Sequence, residues 1–174
     1  IVAHTSGANP LSVLGYTAVN NIGVFYPLQT FSKERKVEFA DIPILIEGEN
    51  KYTRNVLLSI ARKLSGNVEV ANSKQRMMVH LAAVFASNFT NAMLVQASEI
   101  IEASKLNFDL LAPLVAETFE KSFEIGPGKA QTGPARRGDI EILEKHLEML
   151  NNLPEKEAVY QLISQQILDR TNAE

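Results

Sequence analysis

Residues 73–103, SKQRMMVHLAAVFASNFTNAMLVQASEIIEA, contain neither glycine nor proline and repeat apolar side chains at helical spacing, so they read as one long helix. This stretch decides the fold because the pattern differs on its two sides. Before it, short β-branched runs are interleaved with helical segments, and strands are expected at 1–4, 23–27 and 42–47, with a shorter one at 68–71. Residues 52–64 put Val56, Leu57, Ile60, Ala61 and Leu64 on one helical face, and Gly66 is placed to end that helix. Strands alternating with helices predict a parallel α/β sheet, here too small for a complete doubly wound domain. After the long helix the pattern is helical throughout: residues 108–123 tolerate Pro113 near the first turn, Ile140, Leu143, Leu147 and Leu150 recur every three or four residues, and Pro154 opens a last helix. The expected fold class is α/β followed by all-α, with the change at 72/73.

Composition narrows the function classes. With 45% hydrophobic and 21% charged residues the chain has the make-up of a globular domain, neither disordered nor fibrous. A formal net charge of -3 gives no general electrostatic reason to expect nucleic acid or an anionic membrane as partner. The absence of cysteine excludes a disulfide framework, a thiolate nucleophile and a cysteine zinc site, and it fits a reducing compartment, so cytoplasm is the expected location. The three histidines lack metal-ligand spacing, and neither a GxGxxG nor a P-loop motif is present. Residues 77–95 are apolar enough to raise the question of a bilayer span, but His80, Ser87, Asn88, Thr90 and Asn91 argue for a helix buried in protein. The chain opens on Ile1, Val2 and Ala3 without a methionine, like a strand already under way, and further sequence upstream is expected.

At 100° per residue, Ser73, Arg76, Ser87 and Asn91 of the long helix fall within roughly 40° of His80, with Asn88 at the edge of the stripe. A polar stripe on an otherwise apolar helix faces either a polar cavity or a buried hydrogen-bond network. In a cavity, His80 can move a proton near neutral pH and Asn88 can orient a carbonyl; in a core, His80 is only a satisfied buried imidazole. Lys74 lies about 120° away and reads as solvated. His4, Ser6 and Gly7 follow the first strand directly, and Gln29 and Thr30 follow the second, which places them at carboxyl ends of strands, where open α/β sheets bind ligands. The alternative is an ordinary strand-to-helix turn. In GPGKAQTGPARRGD, residues 126–139, Asp139 suits an N-cap, and the glycines and prolines turn the chain. An arginine such as Arg137 beside a helix start can bind a carboxylate or phosphate, or form a solvated corner. His146 reads as a surface residue.

Taken in order, HTSG (4–7), YPLQTFS (26–32), IPILIEG (42–48), RMMVHLAAVFASNFTNAM (76–93) and TGPARRGD (132–139) resemble a bacterial family of candidate NAD(P)-dependent oxidoreductases, over essentially the whole chain. The pieces H-x(7)-N and TGPxxRGD are specific in combination. The resemblance implies that residues 1–72 are the C-terminal part of a Rossmann-like dinucleotide-binding domain, its Gly-rich loop lying upstream of Ile1. Residues 73–174 would be an all-helical substrate and dimerisation domain, similar to the C-terminal domains of 6-phosphogluconate, hydroxyacid and pyrroline-carboxylate reductases. It further implies NADP or NAD as cofactor, a small-molecule substrate, a homodimer through the helical domain, and no role for a metal, nucleic acid or membrane. Carried over, His80 and Asn88 would be catalytic, Ser6 and Gly7 would touch the cofactor, and His4, Ser6, Gly7, Gln29, Asn91, Thr132, Arg137 and Asp139 would surround the substrate. Hydroxyacid relatives use a lysine on the corresponding helix; here His80 lies on the stripe and Lys74 does not. The alternative from another class is a non-catalytic nucleotide-sensing or dimeric interaction protein that keeps the fold.

Overall fold

The computed structural model describes residues 1–16 and 18–173, which divide into two compact units, Ile1–Met93 and Leu94–Glu174. In the first, β1 (Val2–His4), β2 (Ile22–Pro27), β3 (Ile44–Gly48) and β4 (Val68–Val70) form one sheet in the order β1-β2-β3-β4. The outer pairs β1–β2 and β3–β4 are parallel, whereas β2–β3 is antiparallel. That middle pair departs from the all-parallel sheet expected. The reason lies in the connection: a parallel neighbour needs a crossover, usually a helix, and residues 28–43 form none, so the chain turns back. Between β3 and β4 the helix α1 (Lys51–Leu64) supplies the crossover. The class itself is the expected one, α/β followed by helices, as in a Rossmann-like domain joined to a helical one.

Alternation along the strands gives the sheet two apolar faces. Val24, Tyr26 and Leu45 point one way and pack with Ala71, Leu11, Leu28 and Val79; Ile44 and Ile46 point the other way onto Leu57 and Ala61 of α1. Helix α1 is capped by Asn50, whose side chain accepts the Thr53 N–H at 2.8 Å. It ends at Ser65, whose buried hydroxyl donates to the Ile42 carbonyl at 2.6 Å and so ties the helix end to the start of β3.

The long helix starts where expected, at α2 (Ser73–Ala83), behind a capping box formed by Asn72 and Gln75. It then passes through a π-helical segment, Val84–Phe89, and continues as α3 (Thr90–Ala103). Secondary structure changes class at Ser73, but the packing unit extends through Met93 because Val79 of α2 seats on the sheet. Burial of the helix in protein does not hold within one chain. Arg76 is the buried side chain of α2, while Met78, Leu81, Phe85 and Phe89 are exposed, because the small sheet covers only one stripe of a helix that is apolar on most sides. By length and composition, Ser73–Ala103 is apolar enough to cross a membrane, the one such helix among the described residues.

In the second unit, a 3-10 turn (Phe108–Leu111) leads into α4 (Ala112–Ile125), two short helical turns α5 (Pro127–Ala130) and α6 (Pro134–Arg137), and then α7 (Ile140–Leu150) and α8 (Pro154–Asn172). Helices α4, α5, α6 and α8 each start with proline in the first turn, where its missing N–H costs no hydrogen bond. Gly126, Gly133 and Gly138 have φ of 87°, 104° and 68°, so three of the glycines in the 126–139 stretch do what only glycine does easily. Ala135, Leu143 and Leu150 form the buried part of this unit, where α6 and α7 pack on α8.

Candidate functional site

The polar stripe of the long helix has two ends with different fates. At its start, Ser73 and Arg76 enter a buried network. The Glu47 carboxylate, at the end of β3, accepts from the Ser73 backbone N–H at 3.0 Å and from its hydroxyl at 2.9 Å, and pairs with the Arg76 guanidinium. Arg76 also donates to the Asn9 carbonyl in the loop after β1, and the Ser73 hydroxyl accepts the Leu11 N–H at 3.0 Å. With Arg76 1% exposed, this network clamps the loop after β1 onto α2.

One turn further, His80 faces a cavity of about 710 Å³ in the same unit. Its polar lining is Tyr26, Gln29, Thr30, His80, Ser87 and Asn88; the rest is apolar, from Leu28, Phe31, Val79, Val84 and three alanines. The Tyr26 hydroxyl and His80 Nδ1 are 3.1 Å apart, and the rings meet edge to face. This contact fixes the imidazole through Nδ1 and leaves Nε2 for the cavity. Burial raises the Tyr26 pKa above its ordinary value, opposed by the Arg76 charge, so the hydroxyl keeps its proton. Gly7 lies against both rings: a Cβ there would sit 2.7 Å from His80 Nδ1 and 2.7 Å from Tyr26 Cζ, so only glycine lets the loop after β1 come this close.

The π-helical segment explains which asparagine reaches the cavity. A π turn holds one residue more than an α turn, so everything beyond it is rotated back by about 100°. Asn88, at the edge of the stripe on a regular helix, moves into the lining; Asn91, on the stripe by simple counting, is exposed and outside it. The Thr90 hydroxyl donates to the Phe85 carbonyl at 3.3 Å, five residues back, as the wider turn requires.

His4 and Ser6 lie beside this group without lining the cavity. The Ser6 N–H donates to His4 Nδ1 at 3.2 Å, which leaves the proton on Nε2, and His4 Nε2 is buried without a hydrogen-bond partner. The Ser6 hydroxyl accepts the N–H groups of Ala8 and Asn9 at 3.2 and 3.1 Å and closes the turn. Burial first, then the Arg76 charge, lower the His4 pKa below 6.5, against the Pro10 carbonyl and Glu47, which raise it. The unfolded chain therefore takes up a proton near pH 6.5 that the folded chain refuses. The His4 contribution to stability is present above that pH and is lost as pH falls below it. His4→Gln is expected to flatten the decline of unfolding free energy as pH falls below about 6.5, measured by urea denaturation at a series of pH values; an unchanged decline would exclude His4 as its source.

The structure thus brings His4, Ser6, Gly7, Gln29, His80 and Asn88 together in the first unit. Thr132, Arg137 and Asp139 belong to the second. Asp139 caps α7 by accepting the Ile142 N–H at 3.3 Å, Thr132 and Arg137 are exposed, and no Arg137–Asp139 ion pair forms among the described residues. Arg136, not Arg137, lines a cavity of about 210 Å³ together with Arg170 and Gln166. His146 is not the surface residue expected: it is half-buried, because its Nδ1 bonds the Tyr160 hydroxyl at 2.7 Å across α7 and α8. Tyr26, Glu47 and Asn9 were missed as partners. For Glu47 a signal existed, a carboxylate closing the otherwise apolar run IPILIEG.

Comparison with known proteins follows this geometry. Residues 42–167 match the family described as a domain of unknown function, DUF2520. Among solved structures, the chain is similar to the crystal structure of "putative NADP oxidoreductase BF3122 from Bacteroides fragilis", with 44% identity and a TM-score of 0.91 over 96% of this chain and 64% of that one. The chain therefore spans less than two thirds of that relative. A fold likeness alone links it to protein TM1727 from Thermotoga maritima, with 21% identity and a TM-score of 0.78 over 99% of this chain and 69% of that one. No curated protein matches.

Proposed function

On the premise that the chain belongs to the DUF2520 family, we propose that it is part of an NADP- or NAD-dependent oxidoreductase acting on a small carbonyl, alcohol or imine. The observation that carries the reading is the His80–Tyr26 pair at the wall of a ligand-sized cavity, beside the carboxyl ends of β1 and β2. The name of the 44% identical relative supports the class of cofactor. The residues present fit the nicotinamide end of a dinucleotide: Gly7 lets the loop after β1 come close to His80 and Tyr26, Ser6 holds its turn, and His4 stands beside that turn at the end of β1. When bound, the nicotinamide supplies or accepts the hydride.

The chain's own residues then have distinct tasks. His80 Nε2 gives a proton to the carbonyl oxygen as negative charge develops on it, or takes one from the alcohol in reverse, while Tyr26 holds the ring through Nδ1. Asn88 donates to the same oxygen and orients it, and Gln29 and Ser87 hold the remainder of the substrate. Arg137, Thr132, Asp139 and Asn91 are assigned no step here. The exposed apolar side of the long helix, including Leu81, Phe85 and Phe89, supports a homodimer as its cover, and the lack of cysteine supports a cytoplasmic location.

The test uses the full-length protein. NADPH or NADH at a hundredfold excess over its Kd is expected to stabilise it by about 2.7 kcal/mol in thermal denaturation, and NADPH absorbance is expected to fall when a carbonyl panel is added. Stabilisation without turnover across the panel would favour the sensing protein. Absence of both stabilisation and turnover would overturn the oxidoreductase reading.

A further inference from the structure

The charge content of the cleft narrows the substrate, granted that the cleft is where the proposed reaction takes place. Among the described residues no Asp, Glu, Lys or Arg lines it: its polar groups are two hydroxyls, two carboxamides, an imidazole and a phenol, and the rest is alkyl or aromatic. The buried ion pair whose charge acts on Tyr26, Arg76 with Glu47, is internally balanced. Arg76 pairs with Glu47 and donates to the Asn9 carbonyl, and that carboxylate in turn is held by Ser73. A carboxylate or phosphate entering the cleft would lose water and meet no opposite charge, whereas a carbonyl or hydroxyl finds donors and acceptors of its own strength.

We infer that the part of the substrate held in this cleft is uncharged: a ketone or aldehyde, or the corresponding alcohol, with an apolar arm. The oxygen sits among His80, Asn88 and Tyr26, and the arm lies along Leu28, Phe31 and Val84. A 2-hydroxy acid or a phosphorylated sugar is the wrong class for this wall. Selectivity of this kind comes from a group left without its partner, which discriminates more strongly than a change of shape.

Two probes of one skeleton read the difference: phenylacetone, and phenylpyruvate, in which a carboxylate replaces the methyl group. Binding to the full-length protein without cofactor is followed by nuclear magnetic resonance at about pH 8, above the range where histidines usually charge. Phenylacetone is expected to bind at least about tenfold more tightly. Ala86→Lys, which adds a cation to the lining, is expected to shift the ratio of the two affinities about tenfold toward phenylpyruvate. The inference is overturned if phenylpyruvate binds the wild type as tightly, if neither probe binds by about 20 mM, or if Ala86→Lys leaves the ratio unchanged. Hydride transfer is measured separately by NADPH oxidation, so a lost preference and a lost oxidoreductase activity are distinct failures.

Discussion

His80→Gln in the full-length protein is expected to lower kcat about 10²- to 10⁴-fold with KM changed little. Glutamine preserves a polar group within reach of the Tyr26 hydroxyl but cannot exchange a proton, so the variant separates proton transfer from positioning. Loss of an acid–base group predicts a second signature, a pH profile that differs from that of the wild type. Turnover within about threefold of wild type, with the same profile, would assign the proton to another group.

Arg76→Met is expected to destabilise the fold by about 3–5 kcal/mol, because it leaves the Glu47 carboxylate without its counter-charge in a site where Arg76 is 1% and Glu47 15% exposed. Glu47→Leu should cost a comparable amount, because it leaves the buried Arg76 guanidinium without its counter-charge. The double variant Arg76→Met/Glu47→Leu is expected to recover much of the loss, since replacing both charges by apolar groups removes the desolvation penalty as well as the pair. Urea denaturation of the four proteins measures this coupling. Two single losses that simply add would show that the pair contributes no interaction of its own. The cost extends to the site, because the Arg76 bond to the Asn9 carbonyl holds the loop that carries Gly7 against His80 and Tyr26.

Much of the fold was legible because it rests on local periodicity. The four strands, α1, the long helix and the prolines that open later helices follow from spacing 2, spacing 3.6 and punctuation. The antiparallel β2–β3 pair was not legible, since strand direction depends on what residues 28–43 fail to form rather than on the strands themselves. The same contrast holds for the site. His80 was found because a polar residue on an apolar helix is conspicuous. Its partner Tyr26 lies on a strand 54 residues earlier, and a tyrosine in a strand carries no mark that its hydroxyl reaches a histidine. Arg76 was seen on the stripe but not as half of an ion pair, because Glu47 comes from another element. Asn88 and Asn91 changed places because constant rotation per residue fails across a π turn.

That segment, Val84–Phe89, has a consequence for anyone editing or aligning this helix. Substitutions that closed the wide turn at unchanged length would re-aim every side chain from Thr90 to Ala103 by about 100°, whereas a single-residue deletion would remove the extra residue and its lag together and leave those side chains aimed as they are. Circular dichroism would report the same helix in either case. Against a relative with a regular turn here, an alignment without a gap between His80 and Asn88 would pair residues of one letter and different direction, so motif length across this interval carries more meaning than residue identity within it.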